Sequence, residues 1–205
     1  MSNPGKRGNQ DLAHGDWIGE LEKASGMKYE GSQLHGTTVL AIDCSGSMDG
    51  EKIAKAKKGA LGYIRTATSR GFSIGIVKFS SIAEIIVDPL KSNRDFNLQI
   101  ERVNASGSTN MAEGLLLSVK LLERTIGKRT ICLVTDGMPD NRDATLSAAK
   151  RAKEKGIEII TIGTDDADGA FLAELASSQK HSYKVDSDKL DEVIAAAARL
   201  LPTGK

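Results

Sequence analysis

The sequence predicts a doubly wound α/β domain, a mostly parallel sheet with helices on both faces. Two observations carry this. From residue 36 onward, short β-branched runs of strand length alternate with stretches whose apolar residues recur at helical spacing. The runs are apolar throughout, as strands covered on both faces are. A third observation adds one exception to the parallel order. Residues 72–79 and 83–88 are separated by only three residues, a link that allows antiparallel pairing but no parallel crossover, so 83–88 belongs at an edge.

Each element follows in turn. "TTVLAID" (37–43) is a strand buried on both faces, and "GEKIAKAKKGALGYIRTATSRG" is a helix with Ile53, Ala56, Ala60, Leu61 and Ile64 on one side. Its lysines read as a solvated face. "FSIGIVKF" (72–79) and "AEIIVD" (83–88) are the next strands, and Pro89 stops the second. A short helix around 94–102 leads into "NASGSTN", after which Met111, Leu115, Val119 and Leu122 mark a long helix. "RTICLVTD" (129–136) is the fourth strand, followed by a helix over 143–155 and strand "IEIITIG" (157–163). A helix through Phe171, Leu172 and Leu175 leads to a weak strand, "SYKV" (182–185). The last helix carries Leu190, Val193, Ile194, Ala197, Leu200 and Leu201, and Pro202 closes it. Its alanines permit close packing on the sheet.

The domain therefore spans 36–202, preceded by an extension over 1–35 in which only "DWIGELEKA" (16–24) has helical character, through Trp17, Ile18 and Leu21. The 28 basic and 27 acidic side chains leave a net charge of +1, which gives no electrostatic reason to expect nucleic acid or an anionic membrane as partner. No segment approaches the roughly 20 apolar residues a membrane helix needs. The polar N-terminus lacks the apolar core of an export signal, and the expectation is a soluble cytoplasmic protein. Cys44 and Cys132 sit in or beside apolar runs with no C-x-x-C spacing and read as buried, reduced thiols.

The chemistry-bearing segments fall at one edge. "LAIDCSGSMDG" (40–50) puts Asp43 at the end of the first strand, with Ser45 and Ser47 in the loop that follows. "VTDG" puts Asp136 at the end of the fourth strand, and "SGSTN" puts Thr109 at the mouth of a helix. Right-handed crossovers bring these loops to the crevice beyond the carboxyl ends of the strands. Two carboxylates and three hydroxyls suit a hard dication, Mg²⁺ or Mn²⁺, and not a zinc site built from Cys and His. Two carboxylates balance the ion's charge without exceeding it, and the hydroxyls add none. The ion then keeps an appetite for one more anionic oxygen. D-x-S-x-S alone is weak, arising by chance in roughly one chain in twenty of this length. Its position, with Thr109 and Asp136 at the matching edge, is what gives it weight.

"DCSGSMDG", "GSTN" and "VTDG" resemble the three segments of the metal-ion-dependent adhesion site (MIDAS) of von Willebrand factor type A (VWA) domains. The strand–helix series from about 37 to 201 is similar to that Rossmann-like fold throughout. The resemblance implies a six-stranded sheet with one antiparallel edge strand. It also implies an Mg²⁺ or Mn²⁺ ion bound directly by Ser45, Ser47 and Thr109, with Asp43 and Asp136 direct or through water. Met48, Asp49, Asn110, Met138 and Pro139 flank these positions and are expected to ring the ion and touch a partner. That partner is a protein presenting an Asp or Glu carboxylate. Relatives of the fold work beside AAA+ ATPases, in chelatase complexes, in stress-resistance systems and, when exported, in adhesion; here the expectation is an intracellular assembly, for which an AAA+ ATPase is one candidate partner.

Two alternatives stand beside the binding module. One is a metal-dependent hydrolase or phosphatase. A serine hydrolase needs a base and a G-x-S-x-G elbow, whereas "GSMDG" has the wrong spacing and His181 is the only downstream histidine. An aspartyl phosphatase needs an acid where Ser45 stands, and no P-loop occurs in context. An enzyme is not expected. The other alternative is a purely structural metal that ties three loops together.

Overall fold

An uninterrupted apolar run needs cover on both sides, and β1 (Gly36–Asp43) has it: all eight positions are buried. The computed structural model describes residues 35–91, 95–164 and 166–202. Its other strands are β2 (Phe72–Phe79), β3 (Ala83–Val87), β4 (Lys128–Thr135), β5 (Glu158–Thr164) and β6 (Ser182–Val185). They form one six-stranded sheet in the order β3-β2-β1-β4-β5-β6, parallel except for the β2–β3 pair. The expected fold class is the observed one. The candidate helix over 16–24, like the rest of residues 1–34, lies outside the described residues.

The helices are α1 (Glu51–Ser69), α2 (Phe96–Glu101), α3 (Met111–Leu122), α4 (Arg142–Glu154), α5 (Gly169–Leu175) and α6 (Leu190–Ala197). Strand alternation sorts the core into two layers. Leu40 and Ile42 of β1, with Cys132 and Val134 of β4, face a layer filled by Ala56, Ala60 and Tyr63 of α1 and Leu190 and Ile194 of α6. Val39 and Ala41, with Ile131 and Leu133, face Leu115 and Val119 of α3, Ala148 of α4 and Phe171 of α5.

This topology positions the site. The chain leaves β1 through α1 to β2 on one side, while β4 pairs with β1 on the other. The strand order reverses between β1 and β4, and their carboxyl ends flank the crevice where doubly wound sheets take ligands.

Four details differ from the sequence reading. β4 ends at Thr135, so Asp136 is the first residue beyond the strand. The last helix is α-helical only to Ala197 and continues as a 3₁₀ turn over Ala198–Leu200, which leaves Leu200 exposed rather than in the apolar stripe. Its alanines also serve helix–helix packing. A Cβ on Gly62 of α1 would lie 2.6 Å from Ala195 Cβ, and one on Gly59 would lie 2.8 Å from Ile194 Cβ. The α1 lysines are more than a solvated face: Lys55 donates to the Asp188 carbonyl (2.6 Å), Lys57 to the Glu101 carbonyl (3.0 Å), and Lys58 pairs with Asp191 (2.6 Å).

Candidate functional site

Three loops meet at the carboxyl ends of β1 and β4, held by their main chains before any side chain acts. The Gly46 amide donates to the Gly107 carbonyl (3.0 Å) and the Ser106 amide to the Cys44 carbonyl (2.7 Å), joining the first loop to the second. The Thr109 amide donates to Asp140 Oδ1 (2.9 Å), and the Asp140 amide returns a bond to the Thr109 carbonyl (3.0 Å), joining the second loop to the third. After a 3₁₀ turn over Gly46–Met48, Gly50 takes φ +78°, a left-handed conformation that favours glycine, and α1 begins at the next residue.

Side chains complete the arrangement. Asp43 Oδ1 accepts from the Ser45 amide (2.8 Å) and Oδ2 from the Thr135 hydroxyl (2.6 Å). Ser47 Oγ donates to Asp136 Oδ1 (2.7 Å), so its single proton is committed there; at 3.1 Å, Ser45 is then the donor to Ser47. A hydroxyl that gives its proton to a carboxylate and accepts one bond keeps a lone pair for a cation. Adjacent ligands of an octahedral Mg²⁺, each roughly 2.1 Å from the ion, stand about 3.0 Å apart. The 3.1 Å Ser45–Ser47 separation fits that edge. Among the described residues, no three His, Cys, Asp or Glu side chains group as a metal site would need, so a cation here depends on the hydroxyls.

Asp43, Ser45, Ser47 and Asp136 are thus brought together by hydrogen bonds, and Thr109 stands on the adjoining loop with its own bonds made through the main chain. Asp43 and Asp136 are 0% and 1% exposed. Burial raises the Asp43 carboxyl above its ordinary value, opposed by the bonds from Thr135 and Ser45, while Asp136 adds a smaller upward push. Both cysteines are unpaired and buried, and burial pushes their thiols up to about 12, which keeps them unreactive.

The residues expected to ring the site divide. Met48 is fully buried in the core beside α1 rather than on the rim, a correction that follows from the 3₁₀ turn folding it inward. Asn110 caps α3, accepting from the Glu113 amide (3.3 Å) and donating to Glu113 Oε2 (3.1 Å), so its side chain is already committed. Asp49 and Met138 are exposed, and Pro139 is half-buried. Three residues escaped the sequence reading: Thr135, Asp140 and Lys52, whose ammonium lies 2.7 Å from Asp136 Oδ2. A cation in the first turn of a helix, where the dipole disfavours it, was the available signal for Lys52.

The family model of the von Willebrand factor type A domain matches residues 38–196. The chain is similar to a UPF0353 protein of Nocardia farcinica, 26% identical over 188 residues that cover 77% of this chain. It spans about half the length of that relative, 54%. Among solved structures, it is similar to the pilus adhesin SpaC from Lactobacillus rhamnosus GG (TM-score 0.69, 17% identity, 81% of this chain and 30% of that one). A second is proximal thread matrix protein 1 from the mussel byssus, with a zinc-occupied MIDAS motif (TM-score 0.65, 20% identity, 81% and 45%). At these identities the structures show the fold alone, whereas the family model covers most of the chain. The chain belongs to the von Willebrand factor type A domain family.

Proposed function

We propose that the domain is a metal-dependent protein-interaction module. In this reading Ser45, Ser47 and Thr109 hold an Mg²⁺ or Mn²⁺ ion, with Asp43 and Asp136 direct or through water, and the site captures an Asp or Glu carboxylate of a partner. The observation that carries it is the chain of bonds from Ser45 through Ser47 to Asp136, which spans two loops and leaves oxygen lone pairs at the spacing an octahedral cation uses. When bound, the ion supplies Lewis-acid attraction for one external anionic oxygen.

The chain's own residues do the rest. Thr135 and the Ser45 amide orient Asp43; the Asp140–Thr109 pair holds the second loop against the third. Asp49, Met138 and Pro139 supply the rim, and an exposed Met suits an adaptable apolar contact. Among the described residues, the histidines favour binding over catalysis: His35 and His181 precede β1 and β6, at the amino ends of parallel strands, opposite the site. No helix among the described residues is long and apolar enough to cross a membrane. An intracellular assembly, for which an AAA+ ATPase is one candidate partner, belongs to the same proposal. The similarity to a pilus adhesin and a byssus matrix protein supports its interaction part alone.

Isothermal calorimetry with Mg²⁺ and Mn²⁺ tests the reading. Heat of binding in the wild type, lost in Asp43→Ala with the melting transition intact, is expected, and partner binding falls with EDTA. A flat titration in the wild type, or partner binding that survives both EDTA and Asp43→Ala, overturns it.

A further inference from the structure

Lys52 is the second residue of α1, where the positive end of the helix dipole opposes its charge. Its ammonium nevertheless reaches Asp136 Oδ2 at 2.7 Å, while Ser47 holds Oδ1 of the same carboxylate. The lysine side chain is 24% exposed and the aspartate side chain 0%, so solvent screens the pair only in part. Asp43, Asp136 and Lys52 together carry one net negative charge; a dication among them makes that one net positive charge.

We propose that Lys52 is a resident monovalent cation that shares Asp136 with the metal and sets the charge of the loaded site. This rests on the metal reading above and goes beyond it. Alone, the ion meets a carboxylate already half-neutralised and binds weakly. Loaded, the site is one charge more positive than it would be without Lys52, and an incoming carboxylate offsets that charge. Metal and acidic partner therefore bind cooperatively, each tightening the other by the same factor. Without Lys52 the two aspartates neutralise the ion by themselves, the metal binds more tightly, and the demand for an external anion falls.

Calorimetry on the full chain with Mn²⁺ tests this, in sodium chloride and in sodium acetate at equal ionic strength, acetate being the carboxylate probe. Groups beside a metal's ligands shift its affinity by about 10- to 100-fold. Lys52→Met and Lys52→Gln are expected to tighten Mn²⁺ about tenfold and to shrink the gain from acetate. Lys52→Arg keeps the charge and Lys55→Met lies one turn away; both are expected within about twofold of wild type. Folding of each variant is checked by its melting transition. Wild-type protein alone tests the same point, since acetate must tighten Mn²⁺ binding. Metal binding in Lys52→Met or Lys52→Gln equal to or weaker than wild type, or no acetate effect in the wild type, overturns the inference and leaves the metal reading standing. No binding by any variant overturns both.

Discussion

Thr135→Val removes one hydroxyl and little volume from a fully buried contact. Thr135 Oγ1 donates to Asp43 Oδ2 at 2.6 Å, and both residues are 0% exposed. A hydrogen bond to a charged group contributes about 1.5–3 kcal/mol, and no water replaces this one readily. Spread over a domain of this size, at about 2–4 °C per kcal/mol, the loss lowers the melting temperature by about 3–12 °C in EDTA at pH 7.5. The pH dependence gives the sharper test. Burial already raises the Asp43 carboxyl above 3.8, and the Thr135 bond is the largest influence holding it down. A carboxyl raised in the folded state binds more protons there than in the unfolded chain, so its contribution to stability falls as pH rises from 3.8 through the folded value. The substitution widens that window. The deficit of Thr135→Val is therefore largest at neutral pH and shrinks on acidification toward pH 4. Thermal melts of both proteins between pH 4 and 8 measure it. A deficit below about 1 °C at neutral pH, or one that grows on acidification, would refute the role given to this hydroxyl.

Other expectations follow from the same contacts. Met138→Ala is expected to weaken partner binding and leave the melting temperature unchanged, whereas Met48→Ala, in the core, costs about 2–5 kcal/mol; scanning calorimetry separates the two. Gly59→Ala gains up to about 1 kcal/mol of helix propensity, but its Cβ meets Ile194 Cβ at 2.8 Å and Asp191 main-chain atoms at 3.0 Å, so urea titration is expected to show net destabilisation of about 1–2 kcal/mol. Lys58 holds the Asp191 carboxyl below its ordinary value, so Asp191→Asn removes stability at neutral pH, a loss that shrinks as pH falls from 3.8 through the lower folded value and is read from melts at pH 7 and pH 3.

How much of this was legible depends on the range of the interaction. Strands such as 72–79 and 182–185 are written locally, in apolar runs with clear stops, and the structure places them at those residues. The convergence of Asp43, Ser45, Ser47 and Asp136 was legible because topology alone carries strand ends to one crevice. Side-chain direction was not. Met48 reads as a loop residue beside the motif, and only the 3₁₀ turn over Gly46–Met48 sends it into the core. Thr135 stood inside the quoted "VTDG", but its role needs the register that sets Ile42 beside Val134 and so brings the next residues, Asp43 and Thr135, together. Lys52 read as one of several helix lysines because its partner is 84 residues away.

The alanine-rich last helix is where helix-on-helix geometry changes the expectation most. Alone, "LDEVIAAAARLL" reads as a smooth helix whose alanines permit close packing on the sheet. In the fold α6 lies against the small-residue face of α1, with Gly62 and Ala195 too close to admit a further methyl group. Both ends of that contact are tied. Lys55 and Lys58 hold Asp188 and Asp191 at one end, and the Arg70 guanidinium donates to the Leu201 carbonyl (2.8 Å) at the other. Sliding by one helical turn, about 5.4 Å, breaks all three ties and, in one direction, brings Asp191 and Leu190 toward the glycines that now accept Ala195 and Ile194. Such packing has discrete arrangements and resists intermediate ones. Lys55 and Lys58, which make two of these ties, continue a three-residue spacing that begins at Lys52, and Lys52 reaches Asp136. α1 thus touches both the candidate metal site, through Lys52, and the last helix, through Lys55 and Lys58.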